Sequence, residues 1–221
     1  MDYSPVLVSL KTACASIVFT FFLGLLLAEI VATMRRRVFK MLLDGLLTLP
    51  LVLPPTVAGF FLLWILGVRG LVGKFFLDLF SFKIAFSWVA TVLASSAISL
   101  PLMYRSARGA LEQLDPALIY AGRTLGLSEW QIFWKVALPT ALPGIAAGAV
   151  LAFARGLGEF GATAMIAGNI AGKTRTLPLA IYSEVASGNM DSAGIYVCII
   201  VVLSFAVVAL MNYCTVHEKR N

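Results

Sequence analysis

Five long apolar blocks restrict the fold of this 221-residue chain more than any other feature. Each is free or nearly free of charge and long enough for a helix of roughly 20 residues, which crosses a hydrocarbon core of about 30 Å. Charged residues make up only 13% of the chain, too few to cover a water-facing surface. We therefore predict an all-α polytopic membrane protein with about five transmembrane helices, in a single domain over residues 1–221. The blocks are residues 12–34, 45–68, 84–104, 136–166 and 192–216.

The distribution of Lys and Arg predicts how these blocks cross the membrane. If the N-terminus lies outside, residues 35–44, 105–135 and the tail from 217 are cytoplasmic, and they hold ten of the 17 basic residues. Because Lys and Arg accumulate on the cytoplasmic side, we predict an outside N-terminus and a cytoplasmic C-terminus. The net charge of +6 then needs no nucleic-acid partner. A sixth span stays open, since the fourth block could end near Arg155 and residues 176–186 could return as a partial or interfacial helix.

The second block contains Pro50, Pro54 and Pro55. Each proline removes a backbone donor and crowds the preceding turn, so this helix is expected to be kinked or broken. Carbonyl groups freed at membrane depth are tolerated only against protein or a water-filled cavity. The proline run is therefore a candidate for the wall of a transport pathway.

The fourth block contains two charges, Arg155 and Glu159, at a spacing that puts them on one helix face. Each charge near the bilayer centre costs roughly 2.5 to 3.5 kcal/mol on insertion scales. We expect a mutual ion pair that holds a dimer contact or a gate, with direct contact between Arg155 and an anion as the second interpretation. Gly144 and Gly148 in the same block form a GxxxG pattern, which we assign to helix packing.

Two glycine-rich motifs resemble nucleotide-binding loops. Residues 156–161 fit G-x-G-x-x-G, but we expect them to continue an apolar helix rather than join a strand to a helix. Residues 167–174 are similar to a P-loop, but no buried strand precedes them. We therefore predict no ATP site here, and any energy coupling belongs to another chain.

The segment 105–135 has the features of a short capped helix. Asp115 can cap a helix that begins at Pro116, and Gly126 can end it in the left-handed conformation. Ser128 and Gln131 predict a capping box for a second helix. Because a helix of about ten residues is marginal alone, it needs a partner to pack against. The side chains expected to share a face of the first helix are Leu118, Ala121 and Leu125; those on the second are Trp130, Phe133 and Trp134.

This segment resembles the cytoplasmic loop of permease subunits of binding-protein-dependent ABC importers, which carries E-A-A-x3-G-x9-I-x-L-P. The spacing is kept throughout, with Tyr120 in place of the family's Glu, Gly122 in place of its second Ala and Val136 in place of Ile. In the family, this loop (here about 105–139) docks on the ATPase subunit. The residues assigned to coupling are Tyr120, Ala121, Gly122, Leu125, Gly126, Val136, Leu138 and Pro139.

Three further stretches, 49–59, 152–163 and 168–176, are similar to molybdate permeases. The resemblance implies an inner-membrane homodimer in a prokaryote that imports molybdate, or the chemically similar tungstate. It implies two partners: a pair of cytoplasmic ATPases, which bind ATP-Mg, and an external molybdate-binding protein. For this chain it implies no catalytic role, no cofactor and no metal. Pathway or gate candidates are Pro50, Pro54, Pro55, Arg155, Glu159 and Thr163; candidates for contact with the binding protein are Lys173, Arg175 and Thr176.

Three other classes of protein share some of these sequence features. Sulfate and thiosulfate permeases share a similar Arg-x-x-Gly-Glu-Phe-Gly-Ala stretch but are generally longer. An ion-coupled secondary transporter is often built from paired repeats, and the proline run and the capped loop have no second copy here. A membrane enzyme would need a cluster of His, Cys or carboxylates, whereas the one histidine, His217, lies in the tail.

Overall fold

The computed structural model describes residues 2–34 and 36–218, with side chains up to residue 209. These residues form helices joined by short loops, with no strand among them, which confirms the all-α prediction. The helices are α1 Ser4–Thr33, α2 Arg37–Val52, α3 Pro55–Leu66, α4 Leu71–Phe80, α5 Trp88–Glu112, α6 Pro116–Thr124, α7 Glu129–Ile132, a π-helical turn Phe133–Ala137, α8 Leu138–Leu157, α9 Gly161–Ala167, α10 Leu177–Ala186 and α11 Met190–Glu218.

Helices α1, α5 and α8 form the centre of the bundle. Side chains on α1 meet side chains 79 positions later on α5, so these two helices run in the same direction. Gly144 lies against Ala110, and Gly148 lies against Ser106 one turn further back along α5, so α8 runs in the opposite direction. A Cβ atom on Gly144 would lie 2.7 Å from the Ala110 Cβ, which confirms that the GxxxG pattern serves close helix packing.

The second predicted span is broken, as its prolines predict. Helices α2 and α3 meet at an angle of 114°. Pro54 caps α3 and Pro55 takes its first position, where the missing N–H has no helical acceptor to lose. Pro50 stays inside the last turn of α2 without interrupting it, so the bend is made by the later two prolines.

The fourth predicted span differs from the expectation in two ways. The helix begins earlier, because residues Glu129–Leu157 run on through the π-helical turn as a single 29-residue helix. It also ends earlier, at Leu157, and α9 begins only at Gly161. Residues 156–161 therefore contain a helix break, and the expectation that they continue a helix is wrong. Gly158 in the break leaves the backbone free of a Cβ where the chain turns.

Within the described residues, three helices are long and apolar enough to cross a membrane: α1, Glu129–Leu157 and α11. The bent pair α2 and α3 would be a fourth span. The predicted third span is α5, whose 25 residues extend roughly 38 Å. Helix α5 is less apolar because it carries several serine and threonine residues. Most of these side chains are buried. Helix α10, with 10 residues, extends roughly 15 Å and matches the partial helix considered above.

Candidate functional site

The short helix α6 forms as its end signals predict. The Asp115 carboxylate accepts a hydrogen bond of 2.9 Å from the Ala117 N–H, and Pro116 follows it at the first helical position. Gly126 ends the segment with a φ of 76°, in the left-handed region that glycine adopts without strain. The Ser128 and Gln131 capping box is also present. The end of α6 and the start of α7 are therefore fixed by local hydrogen bonds.

The segment 116–137, called the coupling loop below, folds on itself and leaves an apolar face uncovered. Gly122 is buried against Ile132, and a Cβ atom there would lie 3.0 Å from the Ile132 Cγ1. Arg123 forms two hydrogen bonds to the Glu129 carboxylate, of 2.7 and 3.1 Å, which tie α6 to α7 and raise the pKa of the Arg123 guanidinium. The exposed apolar side chains include Leu118, Tyr120, Ala121, Leu125, Trp130 and Trp134.

An ion-pair network next to the coupling loop was not predicted from the sequence. Arg108 on α5 pairs with Asp44 on α2 and, at 2.9 Å, with Glu112, which Lys40 also contacts at 2.8 Å. The Tyr104 hydroxyl donates to the Asp44 carboxylate at 2.9 Å. The five groups tie the start of α2 to the end of α5. A signal was available, since Arg108 and Glu112 have the i,i+4 spacing of helical ion pairs.

The charge state of Glu112 follows from the same network. Burial opposes ionisation of this carboxyl, but the hydrogen bonds from Lys40 and Arg108 outweigh burial and lower the pKa of Glu112 below its usual value. The carboxylate is thus held ionised between two cations. Because 38% of the Glu112 side chain is exposed, solvent screens part of this attraction.

The break between α8 and α9 is bridged by Glu159. Its Oε1 accepts a hydrogen bond of 2.8 Å from the Ala162 N–H at the start of α9. Its Oε2 lies 2.8 Å from Arg155 Nη1 on the last turn of α8, an ion pair whose angle does not meet hydrogen-bond geometry. The Glu159 side chain is 1% exposed and that of Arg155 is 33% exposed. The predicted pair is confirmed, with Glu159 beyond the helix end rather than on its face.

The two broken helices meet each other. A Cβ atom on Gly59 of α3 would lie 2.6 Å from the Ala162 Cα, and one on Gly161 would lie 3.0 Å from the Pro55 Cβ. This close approach places the start of α3 against the start of α9, next to Glu159. Thr163, two positions after Gly161 on α9, is 1% exposed and is therefore buried beside this contact. The structure therefore brings together the proline break, the buried ion pair and Thr163.

A buried row of hydroxyl groups lies between α1 and α5. Its three pairs join hydroxyl oxygens 3.0 to 3.3 Å apart: Thr12 with Thr91, Ser16 with Ser95, and Thr20 with Ser99. Ser95 also reaches the Gly156 carbonyl at 3.1 Å, which satisfies a backbone acceptor near the break at the end of α8. Small hydroxyl residues at spacing four on both helices are the sequence signal for this row.

The loop before α10 holds the three residues assigned to contact with a binding protein. Lys173 is exposed, and Arg175 is half-buried with its Nε donating to the Asn169 side chain at 2.9 Å. Thr176 is 4% exposed and faces the interior. Thr176 is therefore removed from this group, because a docking protein cannot reach its side chain.

Comparison with known proteins places this chain in a class and then in a family. The bundle, in which three of the described helices are long and apolar enough to cross a membrane, is that of an integral membrane protein. Residues 20–217 match the family model described as binding-protein-dependent transport system inner membrane component. The chain belongs to this family and is a multi-pass membrane protein.

Relatives and solved structures agree with this assignment. The molybdenum transport system permease protein ModB of Escherichia coli (strain K12) is 43% identical over 212 residues, which cover 95% of this chain and 91% of ModB. The sulfate transport system permease protein CysT of the same organism is 37% identical over 205 residues, which cover 93% of this chain and 73% of CysT. A structure of the MetNI methionine ABC transporter shares the fold, with a TM-score of 0.75 at 19% identity over 96% of this chain and 93% of the matched chain.

Proposed function

We propose that this chain is the membrane-spanning permease subunit of an ATP-driven importer for molybdate, with tungstate as a chemically similar substrate. The observation that carries the proposal is the 43% identity to ModB over nearly the full length of both chains. Sulfate is the second candidate, supported by the similarity to CysT, which is lower in identity and leaves more of the relative unmatched.

The coupling loop supplies the proposed contact with an ATPase. Its uncovered side chains include Leu118, Leu125 and Trp130, which are 42%, 79% and 69% exposed. Exposed apolar patches of this kind mark interaction sites, and the local caps hold the patch in one shape. ATP and Mg²⁺ then bind on the partner, and this chain takes no part in hydrolysis.

The two helix breaks supply the proposed pathway. Backbone groups freed at Pro54 and after Leu157 need protein or water beside them, and α2 buries no residue within this chain. A second copy of the chain, facing this surface across a water-filled path, meets that need. Arg155 and Glu159 lie at this point as gate residues, together with Pro50, Pro55 and Thr163. The loop with Lys173 and Arg175 is the proposed contact for an external oxyanion-binding protein.

Transport by the reconstituted complex tests this proposal. The chain is copurified with its ATPase and inserted into vesicles that enclose buffer without molybdate. Uptake of labelled molybdate from outside is then measured with and without ATP and the binding protein. We expect uptake that requires both, is inhibited by tungstate, and is little affected by an equal concentration of sulfate. Uptake driven by an ion gradient alone would refute the ATP-coupled assignment, and stronger inhibition by sulfate than by tungstate would favour the sulfate candidate.

A matched pair of variants separates coupling from folding in that assay. Leu125→Glu places a charge on the uncovered face of the coupling loop, where we expect loss of copurification with the ATPase. Leu71→Glu is the control, because Leu71 is 90% exposed at the start of α4, in the segment predicted to lie on the external side between the second and third spans. Equal loss of the ATPase in both variants would contradict the assignment of the coupling loop as the docking surface.

A further inference from the structure

A small cavity at the end of the bundle opposite the coupling loop collects positive charge from distant parts of the chain. It lies where α5 begins, whereas the coupling loop follows the end of α5. Its volume is 270 Å³. The residues that line it come from α1, the start of α5 and the loop before α10, and they are Leu7, Val8, Lys11, Trp88, Gly172 and Lys173.

Lys11 is held in place by its neighbours on α1 and α5. Its Nζ lies 4.3 Å from the centroid of the Trp88 ring, a distance at which the indole face attracts a cation. The Trp88 Nε1 donates a hydrogen bond of 3.1 Å to the Thr12 hydroxyl, and Thr12 is 3.0 Å from the Thr91 hydroxyl. The hydrogen bond orients the indole, and the indole face attracts the exposed Lys11 ammonium to the cavity wall.

Lys173 is presented by a loop with its own internal hydrogen bonds. The Thr174 hydroxyl, on a fully buried side chain, accepts a hydrogen bond of 3.0 Å from the Ile170 N–H. The Ile170 carbonyl in turn accepts from the backbone N–H of Lys173, at 3.1 Å. Gly172 has a φ of 71°, which turns the backbone at the cavity edge. The backbone that carries Lys173 is thus preorganised, while its side chain stays exposed.

Neither ammonium is paired with a carboxylate of the residues whose side chains the structure describes. Among the residues that the structure describes, no carboxylate lies within ion-pair distance of Lys11 or Lys173. Leu7 and Val8 add an apolar wall beside the two charges. A ligand that matches this surface has a compact anionic group, which contacts the two lysines. The rest of the ligand is either aliphatic and packs on Leu7 and Val8, or is absent.

We propose that this cavity binds a tetrahedral oxyanion group, either the phosphate of an anionic phospholipid headgroup or a free oxyanion. Basic pockets between membrane helices bind anionic headgroups, and tryptophan is enriched at the membrane interface. Lys11 and Lys173 share the charge of the oxyanion, and Trp88 keeps Lys11 in position. This site is separate from the helix breaks and does not depend on which oxyanion the protein transports.

Native mass spectrometry of the detergent-solubilised transporter complex tests the site. The probes are phosphatidylglycerol and phosphatidylcholine with the same acyl chains, and inorganic phosphate and molybdate without lipid. We expect phosphatidylglycerol to bind more tightly than phosphatidylcholine, and Lys11→Gln or Lys173→Gln to weaken it about fivefold each. Lys74→Gln is the matched control, because Lys74 is an exposed lysine on α4 that does not line the cavity.

The outcomes separate the two sources of the oxyanion. A lipid headgroup is identified if phosphatidylglycerol is preferred, if this preference is lost in Lys11→Gln or Lys173→Gln, and if millimolar phosphate or molybdate does not displace the lipid. Displacement by the inorganic anions, with the same dependence on both lysines, identifies a free oxyanion. The proposal is overturned if no probe depends on the two lysines, or if Lys74→Gln weakens binding as much as they do. Unchanged thermal unfolding of the variants without added anion checks that they are folded.

Discussion

The Arg155 and Glu159 pair predicts an asymmetric response to charge removal. In Arg155→Met, the Glu159 carboxylate stays 1% exposed without its cation, and breaking a buried pair in this way costs about 3 to 5 kcal/mol. In Glu159→Gln, an acceptor for the Ala162 N–H is kept and Arg155, 33% exposed, still reaches solvent. We therefore expect a smaller loss of about 1 to 2 kcal/mol for the second variant.

The double variant isolates the interaction between the two residues. With both charges removed, no buried charge is left unpaired, so we expect it to be more stable than Arg155→Met by about 1 kcal/mol or more. The free energy of unfolding is measured in mixed micelles by titration with a denaturing detergent, monitored by tryptophan fluorescence. The control cycle combines Glu159→Gln with Lys135→Met, since Lys135 lies about 33 Å along the helix from its end at Leu157, next to Glu159. A coupling energy within about 0.5 kcal/mol of the control cycle would refute the pairing.

Three further predictions concern the coupling loop, the helix packing and the ion-pair network. Gly126→Val strains the backbone by about 1 to 2 kcal/mol without any clash, so we expect ATP hydrolysis uncoupled from uptake in a variant that still inserts; normal uptake would contradict this. The control Gly126→Asn, which tolerates the same φ, keeps activity. Gly148→Leu pushes α8 away from α5 and lowers the yield of folded protein by several-fold, whereas Gly194→Leu, with open space around it, leaves the yield unchanged. Because the folded pKa of Glu112 is lowered, its stabilising effect is present above its usual pKa and is lost as pH falls through the folded value; the thermal midpoint of Glu112→Gln should be less sensitive to pH below about 4.5, and equal sensitivity would exclude this role.

The helix ends of the coupling loop were predictable because each depends on residues close together in sequence. Asp115, Pro116 and Gly126 act through caps and turns within a few positions, and the capping box of Ser128 and Gln131 is equally local. The bend after Leu53 was predictable for the same reason, since prolines act on their own turn. These helix ends and the bend could therefore be predicted without knowledge of tertiary contacts.

The main prediction continued the fourth span through residues 156–161, and the break after Leu157 matches only the alternative in which this span ends near Arg155. The structure places Glu159 where its carboxylate accepts from the Ala162 N–H, and this contact depends on how α9 packs against α3. The pairing of Asp44 with Arg108 likewise joins positions far apart in sequence. Spacing within one helix contains no information on such contacts between helices, so the sequence identified the charged residues but not all of their partners.

The position of the helix breaks has a consequence for how movement at the coupling loop would reach the membrane interior. The loop is continuous with the long helix that starts at Glu129, and the ion pairs of Arg108 and Glu112 fasten α2 to α5 beside it. The long helix from Glu129 ends at the break at residues 158–160, and α2 ends at the break at Pro54. Rigid helices transmit a displacement, and short interruptions absorb the accompanying change in backbone angles. In a permease of the proposed kind, the opening motion would therefore be concentrated where α3 meets α9, and Glu159 would be the link that must shift for these two segments to separate.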